Sequence, residues 1–384
     1  MSTTLSTPVD GARPFSEFAS LPASEIRERT WAAKRRLGNR VVVLGHHYQR
    51  ESVIEFADAR GDSFKLAQLA AASPEVQWIV FCGVHFMAES ADILRQPHQT
   101  VILPDLRAGC SMADMAAAED VAEAWDRLTR VHGDTIVPVT YMNSTAALKA
   151  FCGEHGGVVC TSSNARAVLE WAWAKRARVF FFPDQHLGRN TATAMGVPLE
   201  AMAEWDYRAE DLERQNARCF GEGARLILWR GFCSVHTKFT LQQVREARAA
   251  NPQVRILVHP ECPFDVVQHA DLVGSTEFII DQVRKAPPGT AWAIGTEINL
   301  VHRLGLEHPE QSVRSLQKNV CPCATMNRID PAHLLWALEN LTLGHVVNEV
   351  AVPEEVKRFA RVALDQMLAL KGAGAPARAA MARD

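Results

Sequence analysis

The chain has 384 residues, of which 47% are hydrophobic and 22% charged, with a formal net charge of −3 at pH 7. This composition is ordinary for a globular protein, and it lacks the basic excess of a nucleic-acid-binding or membrane-surface protein. No apolar run approaches the about 20 residues that span a membrane. The N-terminal residues lack a basic stretch followed by an apolar core, so we expect no signal peptide.

The predicted elements begin after residues 1–20, which we expect to form a poorly ordered lead. Apolar spacing predicts a helix over 23–38 that ends at Gly38. Strands and helices then alternate, which indicates an α/β fold. The Ala- and Gly-rich stretch 371–384 predicts a flexible tail.

A repeat of four parts occurs three times along the chain. Each copy has an apolar strand with a polar end, a serine-containing turn that opens a helix, a second strand, and a turn with a cysteine. The copies begin with VVVLGHHYQ at 41–49, IVPVTYMNS at 136–144 and RILVHPEC at 255–262. The middle copy carries an insertion at roughly 190–222. The repeat predicts three similar Rossmann-like α/β domains with parallel sheets.

We place these domains at residues 20–113, 114–235 and 236–325. We expect the C-terminal helices within 326–370 to pack on the first of them. In open α/β sheets, ligands bind beyond the carboxyl ends of the strands. Three such units could face one another, so that their strand ends converge on a central active site.

Polar side chains follow the first strand of each copy: His46, Tyr48, Tyr141, Asn143, His259 and Glu261. Histidine, tyrosine and glutamate at such positions suit acid–base chemistry, although a lone histidine more often has a structural role. We interpret PDQHLG at 183–188, after another strand, as a structural turn.

Hydroxyl side chains stand at the predicted helix starts: Ser63, Ser162, Ser275 and Thr276. A helix cap is the commonest role of serine or threonine at this position. A helix N-terminus with hydroxyl groups also binds phosphate or carboxylate, so anion binding is the alternative.

The nine cysteines are scattered and odd in number. In a reducing cytoplasm this pattern favours thiols, metal ligands or catalytic groups over disulfides. Cys110, Cys233 and Cys321 each lie in a predicted turn with glycine or proline within two residues. Three converging thiolates suit an iron–sulfur cluster or zinc. Three ligands on a 4Fe-4S cluster leave one iron open as a Lewis acid.

From about residue 40 to 350 the chain resembles the quinolinate synthase family. The resemblance rests on motifs in a fixed order, among them GHHYQ, GVHFMAESA, AGCSMAD, YMNSTAALKA, TSSNA, GFCSVH, HPEC, GSTEFI and CPCATMNRI. It implies three α/β domains around a pseudo-threefold axis with a central 4Fe-4S cluster. It also implies that iminoaspartate, supplied by L-aspartate oxidase, condenses with dihydroxyacetone phosphate. The products would be quinolinate, phosphate and water, in the de novo synthesis of NAD.

The resemblance implies roles for individual residues. The cluster ligands would be Cys110, Cys233 and Cys321; the last is preferred over Cys323 because it precedes proline as in the family pattern. Acid–base and substrate-orienting roles fall to His46, Tyr48, Tyr141, Asn143 and Glu261. Anion-binding roles fall to Ser63, Ser162, His259, Ser275 and Thr276, and His236 would lie beside the cluster. Tyr48, Tyr141 and Glu261 remain alternatives for the base that enolises the triose.

One position departs from the family pattern: His47 stands where many relatives have tyrosine. Two other functions stay open. The first is a different 4Fe-4S hydro-lyase, of the aconitase type. The second is a non-catalytic metal- or redox-sensing binding protein. A P-loop or a GxGxxG fingerprint would favour a nucleotide enzyme, and the sequence contains neither.

Overall fold

The computed structural model of the chain describes residues 10–71, 75–318 and 321–370. The α-helices are α1 (Ala23–Leu37), α2 (Glu51–Ile54), α3 (Ser63–Ala71), α4 (His85–Leu94), α5 (Ala118–His132), α6 (Ala146–Glu154), α7 (Ala165–Lys175), α8 (Gln185–Ala194), α9 (Leu212–Gln215), α10 (Leu241–Ala250), α11 (Phe264–Gln268), α12 (Thr276–Lys285), α13 (Ile298–Glu307), α14 (Pro331–Thr342) and α15 (Glu354–Ala369). The β-strands are β1 (Val41–His46), β2 (Ala59–Gly61), β3 (Trp78–Cys82), β4 (Thr100–Ile102), β5 (Ile136–Tyr141), β6 (Val158–Cys160), β7 (Arg178–Phe182), β8 (Met202–Trp205), β9 (Leu226–Trp229), β10 (Arg255–Val258), β11 (Leu272–Val273), β12 (Ala291–Gly295), β13 (Ser312–Ser315) and β14 (Glu349–Val350).

The strands form three sheets that share one order. The first sheet runs β14-β4-β3-β1-β2, the second β6-β5-β7-β9-β8 and the third β11-β10-β12-β13. In each sheet the first strand of the copy (β1, β5 or β10) has the short strand before the serine-containing turn on one side (β2, β6 or β11). On its other side lies the second strand of the copy (β3, β7 or β12), followed by the strand that leads to the cysteine turn (β4, β9 or β13). Within the described ranges all pairings between these strands are parallel, and β14 alone is antiparallel to its neighbour, β4. The prediction of three similar Rossmann-like α/β units is confirmed.

The predicted insertion in the middle copy adds one strand to its sheet. Strand β8 pairs in parallel with β9 at the edge of the second sheet. The insertion therefore does not interrupt the strands that this copy shares with the other two, and its residues extend the sheet at one edge.

Apolar runs make the central strands. Every residue of β3, β5 and β9 is buried, as expected of parallel strands whose two faces are both covered. Strand β5 holds a proline, which cannot donate a hydrogen bond to a neighbouring strand. Pro138 lies just before the residues that pair with β6, and the chain approaches it closely at Gly157. A Cβ atom at Gly157 would lie 2.0 Å from the Pro138 carbonyl oxygen, so only glycine fits there.

Contacts divide the chain into two compact units. The first unit contains the described residues up to Cys110 together with Cys321–Pro353, and it holds the first sheet. The second unit contains Ser111 onward through the third sheet, together with α15, and it holds the second and third sheets. The boundaries 20–113, 114–235 and 236–325 stay a prediction.

The two C-terminal helices go to different units. Helix α14 packs against α1 in the first unit, whereas α15 packs against α6 and β6 in the second. The expectation that all helices within 326–370 pack on the first α/β unit is therefore wrong for α15. The amphipathic face of α15, which buries Ala360, Ala363, Leu364 and Met367, fits either surface by composition alone.

The N-terminal lead is ordered over part of its length. Residues Phe15–Glu17 form a short 3-10 helix, and Phe18 is fully buried against Leu335 of α14. The Trp336 indole donates a hydrogen bond of 2.7 Å to the Arg13 carbonyl oxygen. The prediction of a poorly ordered lead is wrong for this stretch, while residues 1–9 and the predicted tail 371–384 lie outside the described residues. Among the described residues, no helix is both long and apolar enough to cross a membrane.

Helix α15 docks on α6 through a glycine, and this contact is testable. A Cβ atom at Gly153 would lie 2.0 Å from the Phe359 carbonyl oxygen of α15. We expect Gly153→Ala to lower the free energy of unfolding by roughly 1–3 kcal/mol, because the helices must move apart. Thermal unfolding followed by circular dichroism measures the change. Gly223→Ala is the control, because a Cβ atom there meets nothing within 4 Å. Equal melting temperatures for the two variants would contradict this account of the helix contact.

Candidate functional site

The parallel register brings the predicted polar strand ends to one edge of each sheet. In the third sheet Val258 pairs with both Val273 and Gly295, so the residues that follow these three strands begin at the same edge. In the second sheet Tyr141 pairs with Cys160 of β6. In the first sheet His46 pairs with Gly61 of β2. Within each sheet the structure thus places these polar residues at the carboxyl ends of the strands, as predicted.

A buried carboxylate lies at the centre of a hydrogen-bond network in the second unit. The Tyr141 hydroxyl donates to Glu261 Oε1 at 2.5 Å. His236 Nδ1 lies 2.8 Å from Glu261 Oε2, and His236 Nε2 lies 3.1 Å from the Thr296 hydroxyl. Glu261 and His236 are each 2% exposed. The network thus joins Tyr141 from the second sheet to residues of the third.

Opposing effects set the charge of Glu261. Burial raises its carboxyl pKa, but nearby His236, together with the hydrogen bonds from His236 and Tyr141, outweighs burial and holds the pKa below its ordinary value. An ionised Glu261 accepts hydrogen bonds only, so His236 carries a proton on Nδ1. On the other side of the ring, His236 Nε2 forms its hydrogen bond with the Thr296 hydroxyl.

His259 stacks on His236 and stays neutral. Their ring centroids lie 4.5 Å apart with an interplanar angle of 17°. Burial lowers the pKa of His259 to about 3. His259 Nδ1 lies 3.4 Å from the Glu261 backbone nitrogen and accepts its hydrogen bond. Because His259 Nδ1 accepts this hydrogen bond, the neutral His259 ring carries its proton on Nε2.

Three side chains of this region form a candidate metal-binding group. Ligand atoms of Cys233, His236 and Glu261 all lie within 4.8 Å of one another. Sulfur, imidazole and carboxylate together suit zinc or iron. Cys233 is thus close to the network even though it belongs to a different turn.

Burial separates the nine cysteines into two groups. The fully buried group contains Cys82, Cys152, Cys160, Cys219 and Cys262. Burial raises the pKa of each of these five thiols, to about 12 for Cys82 and for Cys219, which disfavours the thiolate that binds metal. The group with exposed or half-buried side chains contains Cys110, Cys233, Cys321 and Cys323. The three predicted ligands therefore belong to the group whose chemistry fits an iron–sulfur cluster.

In the first unit, hydrogen bonds tie the loop after β1 to the segment that follows the CPC pair. The Gln49 side chain donates to the Met326 carbonyl oxygen at 3.1 Å, and Arg50 donates to that of Asn327 at 2.6 Å. In the same loop His46 accepts from the Tyr48 backbone nitrogen at 3.1 Å, and the two rings meet edge to face. The structure thus holds the GHHYQ loop and the segment after Cys321 in one network.

An ion-pair cluster centred on Asp105 joins the turn before Cys110 to the segment that follows Cys321. Asp105 accepts from Arg107 at 3.0 Å and from Arg328 at 3.1 Å, and its carboxylate lies 3.7 Å from His333 Nε2. Asp105 is 4% exposed. The two predicted cysteine turns of the first unit are therefore linked through Asp105 and Arg328.

The helix-start hydroxyls differ in their local roles. Ser275 is the cap of α12 and accepts from the Phe278 backbone nitrogen at 3.4 Å. At α3, Asp62 accepts from the Lys65 backbone nitrogen instead, and Ser63 is the first helical residue. At α7, the residue before the helix is Asn164, two positions after Ser162. The capping alternative therefore holds for Ser275, while other residues occupy the cap position at the other two helices.

The sequence analysis did not identify Asp184 as a residue of the site region. Its side chain is fully buried and caps α8 by accepting from the Leu187 backbone nitrogen at 2.9 Å. Burial and the negative charge of Glu261 raise the Asp184 pKa well above its usual range. The sequence signal for Asp184 is that the PDQH motif directly follows a predicted strand.

A family model described as quinolinate synthetase A protein matches residues 29–369. The chain belongs to the quinolinate synthetase A family. Quinolinate synthase from Geobacillus kaustophilus is 54% identical over 353 residues, which cover 92% of this chain and 95% of that protein. Quinolinate synthase from Nocardioides sp. is 56% identical over 363 residues, covering 91% of each chain. Quinolinate synthase from Corynebacterium glutamicum is 53% identical over 355 residues, covering 92% and 90%. This member of the quinolinate synthetase A family is accordingly an enzyme.

The Asp105 cluster predicts how stability depends on pH. Burial raises the Asp105 pKa, but the Arg107 hydrogen bonds and the charge of His333 outweigh it, so the folded pKa lies below its ordinary value. Its stabilisation is therefore complete above the unfolded pKa of about 4 and is lost as the pH falls through the lower folded value. We expect Asp105→Asn to reduce the free energy of unfolding by roughly 2 kcal/mol at pH 7.

Thermal unfolding between pH 7 and pH 3 measures this effect. The difference between Asp105→Asn and the unsubstituted protein should shrink as the pH falls below about 4, because Asp105 of the unfolded chain then binds a proton before the folded one does. Asp281→Asn is the matched control: the Asp281 pKa is also lowered, but its side chain is 40% exposed and its ion pairs are worth little. A difference that does not change with pH would rule out the ionised Asp105 as its source.

Proposed function

We propose that this enzyme is a quinolinate synthase that condenses iminoaspartate with dihydroxyacetone phosphate to quinolinate, phosphate and water. The observation that carries the proposal is the buried Glu261 carboxylate, which is hydrogen-bonded to Tyr141 and His236 and lies within 4.8 Å of the Cys233 sulfur. Acid–base groups next to a metal-binding thiol suit a condensation that ends in loss of water. The names of the relatives support the same reaction.

We assign Cys110, Cys233 and Cys321 as ligands of a 4Fe-4S cluster, because they belong to the group of cysteines that is not fully buried. Such a cluster, when bound, supplies an iron without a protein ligand, which polarises a substrate oxygen as a Lewis acid. Cys323 also belongs to this group. We prefer Cys321 because the family pattern places the ligand before proline.

Tyr141 and Glu261 are suited to move a proton in two linked transfers. The Tyr141 oxygen takes a proton from the triose while its own proton passes over 2.5 Å to Glu261 Oε1. His236 holds Glu261 in the ionised, accepting form before the transfer, through its hydrogen bond to Oε2. We therefore favour this pair as the base. For Tyr48 we propose substrate orientation, together with His46 and Asn143.

Anion binding completes the proposal. We assign the phosphate of the triose to Ser63 and Ser162, and the carboxylates of iminoaspartate to His259, Ser275 and Thr276. The capping bond of Ser275 uses the hydroxyl as an acceptor, which leaves its proton for an anion. A neutral His259 with its proton on Nε2 is likewise a donor to a carboxylate.

Iminoaspartate hydrolyses readily because it is an imine, so an amino-acid oxidase such as L-aspartate oxidase is the proposed functional partner. The nine cysteines are scattered along the chain and odd in number, which is typical of proteins in a reducing compartment. This supports the cytoplasm as the proposed compartment.

A hydro-lyase of the aconitase type would hold the same cluster and act on a hydroxy acid, so the substrate separates these two enzymes. The group formed by Cys233, His236 and Glu261 would also suit a single zinc ion. Metal content separates such a zinc site from a 4Fe-4S cluster.

Metal analysis of cysteine variants tests the ligand assignment. Protein purified without oxygen should contain about four iron and four sulfide per chain. We expect Cys110→Ser, Cys233→Ser and Cys321→Ser each to lose the cluster absorbance, because each removes one of three ligands. Cys323→Ser is the control and should keep it. Zinc alone, or a full cluster in Cys110→Ser, would overturn the assignment.

Kinetics of Tyr141→Phe and Glu261→Gln test the proton-transfer pair. We expect each substitution to lower kcat by about 10²- to 10⁴-fold, because each removes one step of the transfer. Iron content should stay that of the unsubstituted protein in Tyr141→Phe. Tyr207→Phe is the control, since its hydroxyl accepts from Arg208 outside the network. A Tyr141→Phe enzyme with full kcat would show that another group is the base.

A further inference from the structure

The loop that carries Glu261 is held from both sides by one side chain. Asn190 of α8 donates from Nδ2 to the Pro260 carbonyl oxygen at 2.8 Å and to the Cys262 carbonyl oxygen at 2.9 Å. These two carbonyl groups flank Glu261 in sequence. Asn190 is 4% exposed, so both bonds form away from solvent.

The helix that carries Asn190 is anchored to the second sheet. Helix α8 follows β7 directly, and Asp184 caps its first turn through the Leu187 backbone nitrogen. The Gln185 backbone nitrogen donates to the Gly231 carbonyl oxygen at 3.0 Å, next to the Cys233 turn. The N-terminal end of the helix that carries Asn190 is therefore held in place by these hydrogen bonds.

The two Asn190 bonds join the same parts of the second unit as the catalytic contact does. Tyr141 ends β5 of the second sheet, and Glu261 follows β10 of the third sheet. Their 2.5 Å contact requires the two sheets to keep one alignment at this point. Asn190 supplies two hydrogen bonds across the same pair of elements, on either side of the residue that must be aligned.

We infer that Asn190 is a positioning residue that fixes the backbone of the Glu261 loop so that the carboxylate meets Tyr141 and His236. This inference rests on the proposed function of the Tyr141–Glu261 pair. Asn190 touches neither reacting group, and it acts through the Pro260 and Cys262 carbonyl groups. Without its amide, two buried acceptors lose their donor and the loop shifts to recover hydrogen bonds.

The substitution Asn190→Leu removes the amide and keeps a side chain of similar size. We expect kcat to fall by about 10- to 100-fold, since small displacements of catalytic groups have effects of this size. Asn216→Leu is the matched control. Asn216 is 1% exposed in the same unit, accepts from the Asp206 backbone nitrogen at 2.6 Å and donates to the Asp206 carbonyl oxygen at 3.2 Å. It should lower the melting temperature similarly and leave kcat unchanged.

A double-mutant cycle separates positioning from a general structural effect. In a Glu261→Gln background, Asn190→Leu should change kcat by less than about 2-fold, because the carboxylate that it positions is gone. If the effects of the two substitutions instead multiply in full, Asn190 acts independently of Glu261 and the inference is overturned. Should Asn190→Leu fail to fold, Asn190→Ser, which keeps one donor, takes its place in the cycle.

Amide hydrogen exchange tests the inference without any assay of activity. In Asn190→Leu, the peptide that contains Glu261 and Cys262 should exchange faster, while the peptide around Asp206 keeps its rate. The Asn216→Leu variant should give the reverse pattern. If the unsubstituted protein forms no quinolinate, the proposed function fails, and the exchange result still decides the role of Asn190. Unchanged exchange at Glu261 in Asn190→Leu would overturn it.

Discussion

An ionised carboxylate buried inside the second unit constrains everything around it. A lone buried charge costs several kcal/mol, so Glu261 is tolerable only while its hydrogen-bond donors stay in place. Tyr141 and His236 supply those donors from separate stretches of chain. The carboxyl ends of the second and third sheets must therefore keep a fixed alignment. In the proposed function the same carboxylate belongs to the base, so the stability of the loop and the proposed chemistry depend on one contact.

Much of this arrangement is predictable, because parallel strands send their carboxyl ends to one edge. The strand that ends in Tyr141 and the strand that precedes His259 and Glu261 could both be identified from apolar runs with polar ends. The order of strands in each sheet follows from the repeat, because each copy has the same succession of strands and helices. What the repeat does not contain is the distance between copies. The 2.5 Å contact of Tyr141 with Glu261 had to come from the structure.

The features that escaped prediction depend on contacts between distant residues. The sequence places Cys233 in a turn, but the burial that separates it from Cys160 depends on the packing of distant segments. Helix α15 presents an apolar face that suits several partners, and its close contact with α6 depends on the missing side chain of Gly153. The residues near Phe18 become ordered because α14 offers them an apolar surface. Asn190 resembles any polar residue of a helix until its two carbonyl partners are seen.

The central claim is that the Glu261 network serves the condensation of an imine with a triose phosphate. The most direct measurement is product formation by protein purified without oxygen, supplied with dihydroxyacetone phosphate and with iminoaspartate generated in place. The account predicts that quinolinate and inorganic phosphate appear in equal amounts. Protein that holds four irons per chain yet releases no quinolinate would contradict it.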